Sequence, residues 1–280
     1  MEKIVLEHLQ NRKQKEDTIH EKKSWIIFLT VFNKFFEEVA SITIFTLRFF
    51  KEALKPPFEI NELLKQSFQI GVKSLSLVAI TSFILGLVLT VQSRPTLVKF
   101  GAESMLPVMI AVSIIREIGP VITALIFAGK VGSGIGAELA SMNVTEQIDA
   151  MQVSHTNPFK YLVVTRVISA TFMLPLLVIF ADTIGLLGSY VAVNIKGSVD
   201  ISLFYLQIFQ SLEFMDVFPA IIKTIFFGFT IGLIACYKGY YSNKGTEGVG
   251  KAANSAVVYA SLMVFVIDMM VVQILTLFQN

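Results

Sequence analysis

The amino-acid sequence predicts an all-α membrane protein, and three observations carry that prediction. Of its 280 residues 54% are hydrophobic and 16% charged, and the mean hydropathy is +0.68, too apolar for a soluble domain that must cover itself with polar side chains. Several stretches approach the ~20 apolar residues that cross a ~30 Å hydrocarbon layer. Lys and Arg collect mainly in the short flanks between those stretches.

Residues 1–24 mix acids and bases (Glu2, Lys3, Glu7, Arg12, Lys13, Lys15, Glu16, Asp17) without an apolar core. They are expected to form a solvated cytoplasmic tail and not a cleavable signal peptide. Residues 25–57 are rich in Phe and Ile but interrupted by Lys34, Glu37, Glu38, Arg48, Lys51 and Glu52. An amphipathic helix in the head-group region fits that pattern, its apolar side among acyl chains and its charges in water. Pro56 and Pro57 end it, since proline lacks an amide and clashes with the preceding turn. A true span over Trp25–Phe50 is the competing reading.

Residues 58–280 form one bundle, with five spans at about Gly71–Val91, Ser104–Phe127, Tyr161–Val193, Val217–Tyr237 and Ser255–Phe278. Lys51, Lys55 and Lys65, then Lys130, Lys160 and Arg166, then Lys238, Lys244 and Lys251 fall on one side. The other side carries fewer cations: Arg94, Lys99, Lys196 and, near the mouth of the fourth span, Lys223. The positive-inside rule therefore puts the N-terminus in the cytoplasm and the C-terminus outside.

Several functional classes are disfavoured. A net charge of +2 supplies no basic stripe, so nucleic acid is not an expected partner. The single Cys236 can form no internal disulfide or thiolate cluster and reads as a buried small hydrophobe. His8, His20 and His155 lack metal-ligand spacing, and neither a metal nor a cofactor is expected. Five spans without an internal repeat do not divide into inverted halves. Gly245 to Lys251 imitates the start of a phosphate-binding loop, but Ala252 stands where a magnesium-binding hydroxyl belongs, and a membrane helix precedes it where a strand is needed. Gly132, Gly134 and Ala137 are a weak dinucleotide-loop match. Gly132 with Gly136, and Gly228 with Gly232, read better as small faces that let helices approach closely, within one subunit or across a dimer.

Arg116-Glu117-Ile118-Gly119-Pro120 lies near the middle of the second span. Charges at that depth are costly unless paired, hydrated or facing a cavity, so Arg116 and Glu117 are candidate site residues, with a purely structural ion pair as the alternative. Adjacent residues point about 100° apart on a helix, so the two need not bond each other. Asp182 and Asp268 are the available partners for Arg116. Gly119 and Pro120 are expected to loosen the helix just after the charges. An apolar cleft oriented by a few polar groups suits an amphiphile.

Between the second and third spans, Asn143 is placed to cap a short helix, with Glu146 reaching back as a capping box. Val144, Ile148 and Met151 share one face while Glu146 and Asp149 are exposed. Such a helix either rests on the membrane surface or docks into a cytosolic motor subunit.

The run from Arg116 through Ile118-Gly119-Pro120 to Lys130-Val131-Gly132-Ser133, continuing through Ala137-Glu138-Leu139 to Thr145-Glu146-Gln147-Ile148-Asp149-Ala150-Met151, closely resembles the core signature of the MlaE/YrbE permease family. Gly248-Val249-Gly250-Lys251-Ala252-Ala253 is similar to its second signature, and the likeness runs from about Glu59 to the C-terminus. The resemblance implies a homodimeric permease of the inner membrane with an interfacial helix and five spans per subunit, driven by cytosolic ABC ATPase subunits. A periplasmic MCE-domain protein would exchange phospholipids with it. It implies further that Asn143–Val153 is the coupling helix, with Glu146, Gln147, Ile148, Asp149 and Met151 meeting the ATPase. The lipid pocket would lie at the dimer interface between the first two spans and include Leu89, Gln92, Leu97, Phe100 and Glu117. ATP hydrolysis would occur on another chain. The rival reading is a stand-alone channel or ion-coupled transporter in which Glu117, Asp182 and Asp268 relay protons.

Overall fold

The computed structural model describes residues 33, 36–195, 200–243 and 245–279, with the backbone alone at 278 and 279. The expected tail, residues 1–24, and the start of the expected interfacial helix lie outside the described residues. The chain divides into two compact units at Phe50 and Lys51. Helix α1 covers 36–53. In the first unit its charged Glu37, Glu38 and Arg48 are interspersed with exposed Phe36, Ile44, Leu47 and Phe50, the mixture an interfacial helix needs.

The second unit is helical throughout its regular structure, and among the described residues five rods are long and apolar enough to cross a membrane. The first is α2 (Ile60–Lys99). The second joins α3 (Leu106–Ser113), a π-helical turn at Ile114–Ile118, α4 (Gly119–Phe127), another at Ala128–Gly132, and α5 (Ser133–Val144). After the short α6 (Gln147–Val153), a π-helical turn at Phe159–Val164 leads into α7 (Thr165–Asn194). Then come α8 (Ile201–Ser211), α9 (Phe214–Tyr240) and α10 (Thr246–Gln279).

All five expected spans are present, but longer than their apolar windows. Helix α2 begins at Ile60, not Gly71, and the second rod runs to Val144, not Phe127. Hydropathy stops counting at the first charges, whereas the backbone ladder continues until its amides and carbonyls find other partners. Helix α8 is an element the sequence reading did not expect. Phe204 and Ile208, four residues apart, bury themselves against Leu106, Ile110, Ile114, Leu186 and Val193, and Asp200 caps the helix by accepting from the Ser202 amide at 3.2 Å. The Ser202 hydroxyl, also donated to that carboxylate, holds the Asp200 carboxyl below its ordinary range.

Small residues decide how closely the rods approach. Gly86 of α2 faces the backbone carbonyl of Gly185 on α7, and Gly188 faces that of Phe83; a methyl at either position would collide with main chain. Buried hydroxyls tie the same seam, Thr90 donating to Ser189 at 2.8 Å and Ser67 to Ser169 at 3.0 Å. Gly228 and Gly232 seat α9 on Ala170 and Val167 of α7, while Gly136 seats α5 on Ala252 and Ala256 of α10. Both glycine pairs are therefore engaged within one subunit, although Gly132 meets only the Ile231 side chain. Helix α7 is the most buried span and α10 the least. Ile80, Ile84 and Val88 of α2 and Leu262, Phe265 and Met269 of α10 are exposed, as lipid contact or another subunit requires. Cys236 is fully buried, the small hydrophobe expected.

Candidate functional site

The site grows from a local defect in the second rod. Pro120 has no amide to donate to the carbonyl one turn earlier, and the helix widens at Ile114–Ile118, where the Gly119 amide reaches back to the Ile114 carbonyl. The loosening therefore falls at the charged residues and not just after them as expected, because the missing proline donor is felt N-terminally. Wide turns of this kind recur at functional sites. This one carries Arg116 and Glu117.

Glu117 Oε2 accepts from Lys223 Nζ at 2.7 Å, and the same ammonium donates to Asp268 Oδ1 at 3.0 Å. The Lys223 side chain is 3% exposed and that of Glu117 44%, so one end of the cluster is closed and the other opens to a cavity. Lys223 lies about 14 Å along α9 from Phe214 at the ~1.5 Å rise per residue, near the middle of a ~30 Å hydrocarbon layer. An ammonium buried there requires a carboxylate partner, and Asp268 and Glu117 both supply one. The expectation of Lys223 as a flank residue at the mouth of the span is thus corrected: its flexible stem carries the charge inward to the acids.

Arg116 pairs with neither Asp182 nor Asp268. Its Nε lies 3.5 Å from Asp216 Oδ1, and Asp216 Oδ2 accepts from the Glu213 amide at 3.0 Å. Asp216 therefore completes the capping box that Glu213 opens at the start of α9 and is the counter-ion of Arg116 at once. Asp182 sits against Gly119, its Oδ1 buried without a hydrogen-bond partner. Arg116, Glu117, Asp216 and Lys223 form the polar side of a cavity of about 470 Å³ whose apolar side includes Val112, Met215, Val271 and Leu275. Such a combination can hold an apolar chain while fixed charges orient a polar end.

The remaining residues of the expected pocket lie elsewhere in the subunit. Leu89 and Leu97 of α2 are half-buried against the Leu106–Ile110–Ile114 cluster, while Gln92 and Phe100 are exposed. The subunit brings Arg116 and Glu117 together and does not bring these four into their cavity.

The expected short helix forms, but its start is different. Asn143 belongs to the last turn of α5, and its Nδ2 donates to the Ser242 carbonyl at 3.0 Å, tying that turn to the α9–α10 connection. Helix α6 starts after Glu146, which has φ 57° and makes no side-chain cap. The capping box is therefore absent, because the chain must reverse at Glu146 and the left-handed residue occupies the cap position. The facing is as expected: Ile148 is buried and Met151 half-buried, whereas Glu146, Gln147 and Asp149 are exposed.

Asp216 and Lys223 are the site residues that sequence reasoning missed. Glu213-x-x-Asp216 carries a capping signal that was available, since each acid can accept from the other's amide. Nothing local in the sequence distinguishes Lys223 from a flank lysine.

Comparison with known proteins agrees with this architecture. The profile of the family described as Permease MlaE matches residues 63–274. A probable ABC transporter permease protein of Rickettsia typhi is 40% identical over 242 residues, 86% of this chain and 93% of that protein. A probable ABC transporter permease protein of Synechocystis is 32% identical over 231 residues, 82% of this chain and 88% of that protein. The intermembrane phospholipid transport system permease protein MlaE of Haemophilus influenzae is 34% identical over 215 residues, 76% and 82% of the two chains. With five membrane-crossing rods, a charged cavity within them and a match that covers nearly the whole bundle, this chain belongs to the MlaE permease family.

Proposed function

We propose that this protein is the membrane-spanning subunit of an ABC transporter of the inner membrane that moves phospholipids or similar amphiphiles to or from a periplasmic MCE-domain protein. The observation that carries the reading is the cavity in which an apolar wall faces Arg116, Glu117 and Lys223, in a chain similar to the phospholipid-transport permease of Haemophilus influenzae. Acyl chains would lie along Val271 and Leu275, and the head group would be oriented by the half-exposed Arg116 and Glu117. Two subunits would pair so that Leu89, Gln92, Leu97 and Phe100 complete the lipid path at the dimer interface.

Hydrolysis of ATP belongs to a separate cytosolic ATPase. Helix α6 suits coupling to it because Ile148 anchors the helix on the bundle while Glu146, Gln147 and Asp149 face outward. On this reading α6, residues 1–24 and the 25–57 segment lie on the cytoplasmic side and the C-terminus in the periplasm, in keeping with the cation asymmetry of the flanks. A photo-crosslinker at Leu97 or Phe100 in the assembled transporter tests the pocket: lipid capture supports it, and a correctly assembled protein that captures none rules it out. Lipid movement that follows a proton gradient and needs no copurifying ATPase would instead favour an ion-coupled carrier using Glu117, Asp182 and Asp268.

A further inference from the structure

A second polar cavity, of about 210 Å³, lies between α2 and the second rod and shares no residue with the charged cavity above. Gln69, Lys73 and Ser74 line it from α2, and Lys130 and Glu138 line it from the facing rod. Lys130 lies on the π-helical turn at Ala128–Gly132 and donates one ammonium hydrogen to the Lys73 carbonyl, which leaves two for a ligand. Neither Lys73 nor Lys130 has an acidic partner among the described residues. Glu138, whose Oε1 accepts from the buried Arg166 at 2.9 Å, makes no ion pair with either ammonium.

Ser74 is the second, independent sign of a ligand. Hydroxyls inside these helices ordinarily donate to a carbonyl one turn back, as Thr81, Thr90 and Thr165 do. The Ser74 Oγ makes no such bond, although its residue is 2% exposed and lines the cavity. An unpaired buried hydroxyl beside two ammonium groups without an acidic partner forms a donor set with its anionic acceptor missing. Lys73 is next to the start of the first apolar window at Gly71, and Lys130 follows the end of the second at Phe127. Both charges therefore come at the level where hydrocarbon gives way to head groups.

The geometry points to an anion site at this level, in which Lys73, Lys130 and Ser74 bind the phosphate of an anionic phospholipid head group beside the bundle. Ammonium groups are effective phosphate partners, and charge-assisted hydrogen bonds exceed neutral ones in strength. The site goes beyond the permease reading and requires only that the chain span a bilayer. It gives the protein a place to hold an anionic phospholipid from the leaflet on the α6 side, apart from the Glu117 cavity.

The test uses the full chain in phosphatidylcholine nanodiscs that contain a photoreactive phosphatidylglycerol, with adducts located by peptide mass spectrometry. Adducts are expected on peptides covering 66–74 and 130–138, reduced about tenfold by Lys73→Glu, in keeping with the loss of one hydrogen bond to a charged group, and retained by Lys73→Arg. Equal labelling in Lys73→Glu, or equal labelling by a photoreactive phosphatidylcholine, overturns the proposal. If no lipid adduct forms, inorganic phosphate is tested alone. A rise in unfolding temperature for wild type but not for Lys73→Glu keeps the anion site and makes soluble phosphate its source; no rise overturns it. Glu117→Ala separates this site from the transport reading, since it should stop transport and leave labelling at 66–74 unchanged.

Discussion

At the scale of single residues, Lys223 ties the charged cavity to the packing of the bundle. Replacing it with Met leaves Glu117 and Asp268 without their cation inside the bundle, a loss expected to cost about 3–5 kcal/mol. Thermal unfolding of the purified protein in detergent checks this, and the triple variant Lys223→Met, Glu117→Gln, Asp268→Asn should recover most of it, because no lone charge remains. Glu117→Ala is expected to behave differently, since Lys223 keeps Asp268 at 3.0 Å. Expression and melting should be nearly unchanged while lipid transport falls; a variant that fails to fold would make Glu117 chiefly a structural partner. Gly119 offers a second test. Its missing Cβ leaves the space that the Asp182 carboxyl occupies, so Gly119→Ala should destabilise the wide turn, and Asp182→Ala in the same chain should restore part of the loss in melting temperature.

Among elements, the seam between α2 and α7 is set by main-chain contact. Gly86→Ala would push a methyl into the Gly185 carbonyl and force the rods apart, a change expected to cost about 1–3 kcal/mol and to show as a lowered unfolding temperature. Helix α6 makes the opposite kind of prediction. Charge reversal at Glu146 and Asp149 alters exposed side chains, so membrane insertion should persist while copurification with the ATPase and ATP-driven transport are lost. Unchanged binding and transport would return α6 to a resting place on the membrane surface. The capping box expected here failed for a tertiary reason: Asn143 was drawn away to the Ser242 carbonyl, and the reversal at Glu146 left no room for the reciprocal bonds.

For the whole molecule, the proposed division of labour predicts that the purified chain alone hydrolyses no ATP. Gly245 to Lys251 follows helix α9 and leads into α10, with Ala252 in place of the magnesium-binding hydroxyl. A phosphate-release assay on the isolated chain should read background, unchanged by Lys251→Ala; robust activity abolished by that substitution would overturn the permease reading. The exposed Ile80, Ile84 and Val88 of α2 leave an apolar face that lipid or a second copy must cover. Mass measurement of the purified transporter, with disulfide trapping along α2, distinguishes the two.

The all-α membrane class and the five spans were determined by sequence alone, and Arg116 and Glu117 were singled out by it, because hydrocarbon thickness demands apolar length and a charge inside such a length is conspicuous wherever it points. The family signature was legible for the same local reason, being an ordered run of residues in one segment. Pairing was not legible. That Lys223 would reach Glu117 and Asp268, that Arg116 would meet Asp216 and not Asp182, and that Gly86 would abut Gly185 depended on which helix faces met and in what register. Helix α8 was hidden in the same way, since Phe204 and Ile208 become an anchoring face only once Leu106, Ile110 and Leu186 are assembled beneath them. Hydropathy acts on each segment separately, whereas an ion pair or a close-packed seam is a property of two segments at once, and only the tertiary structure brought those together.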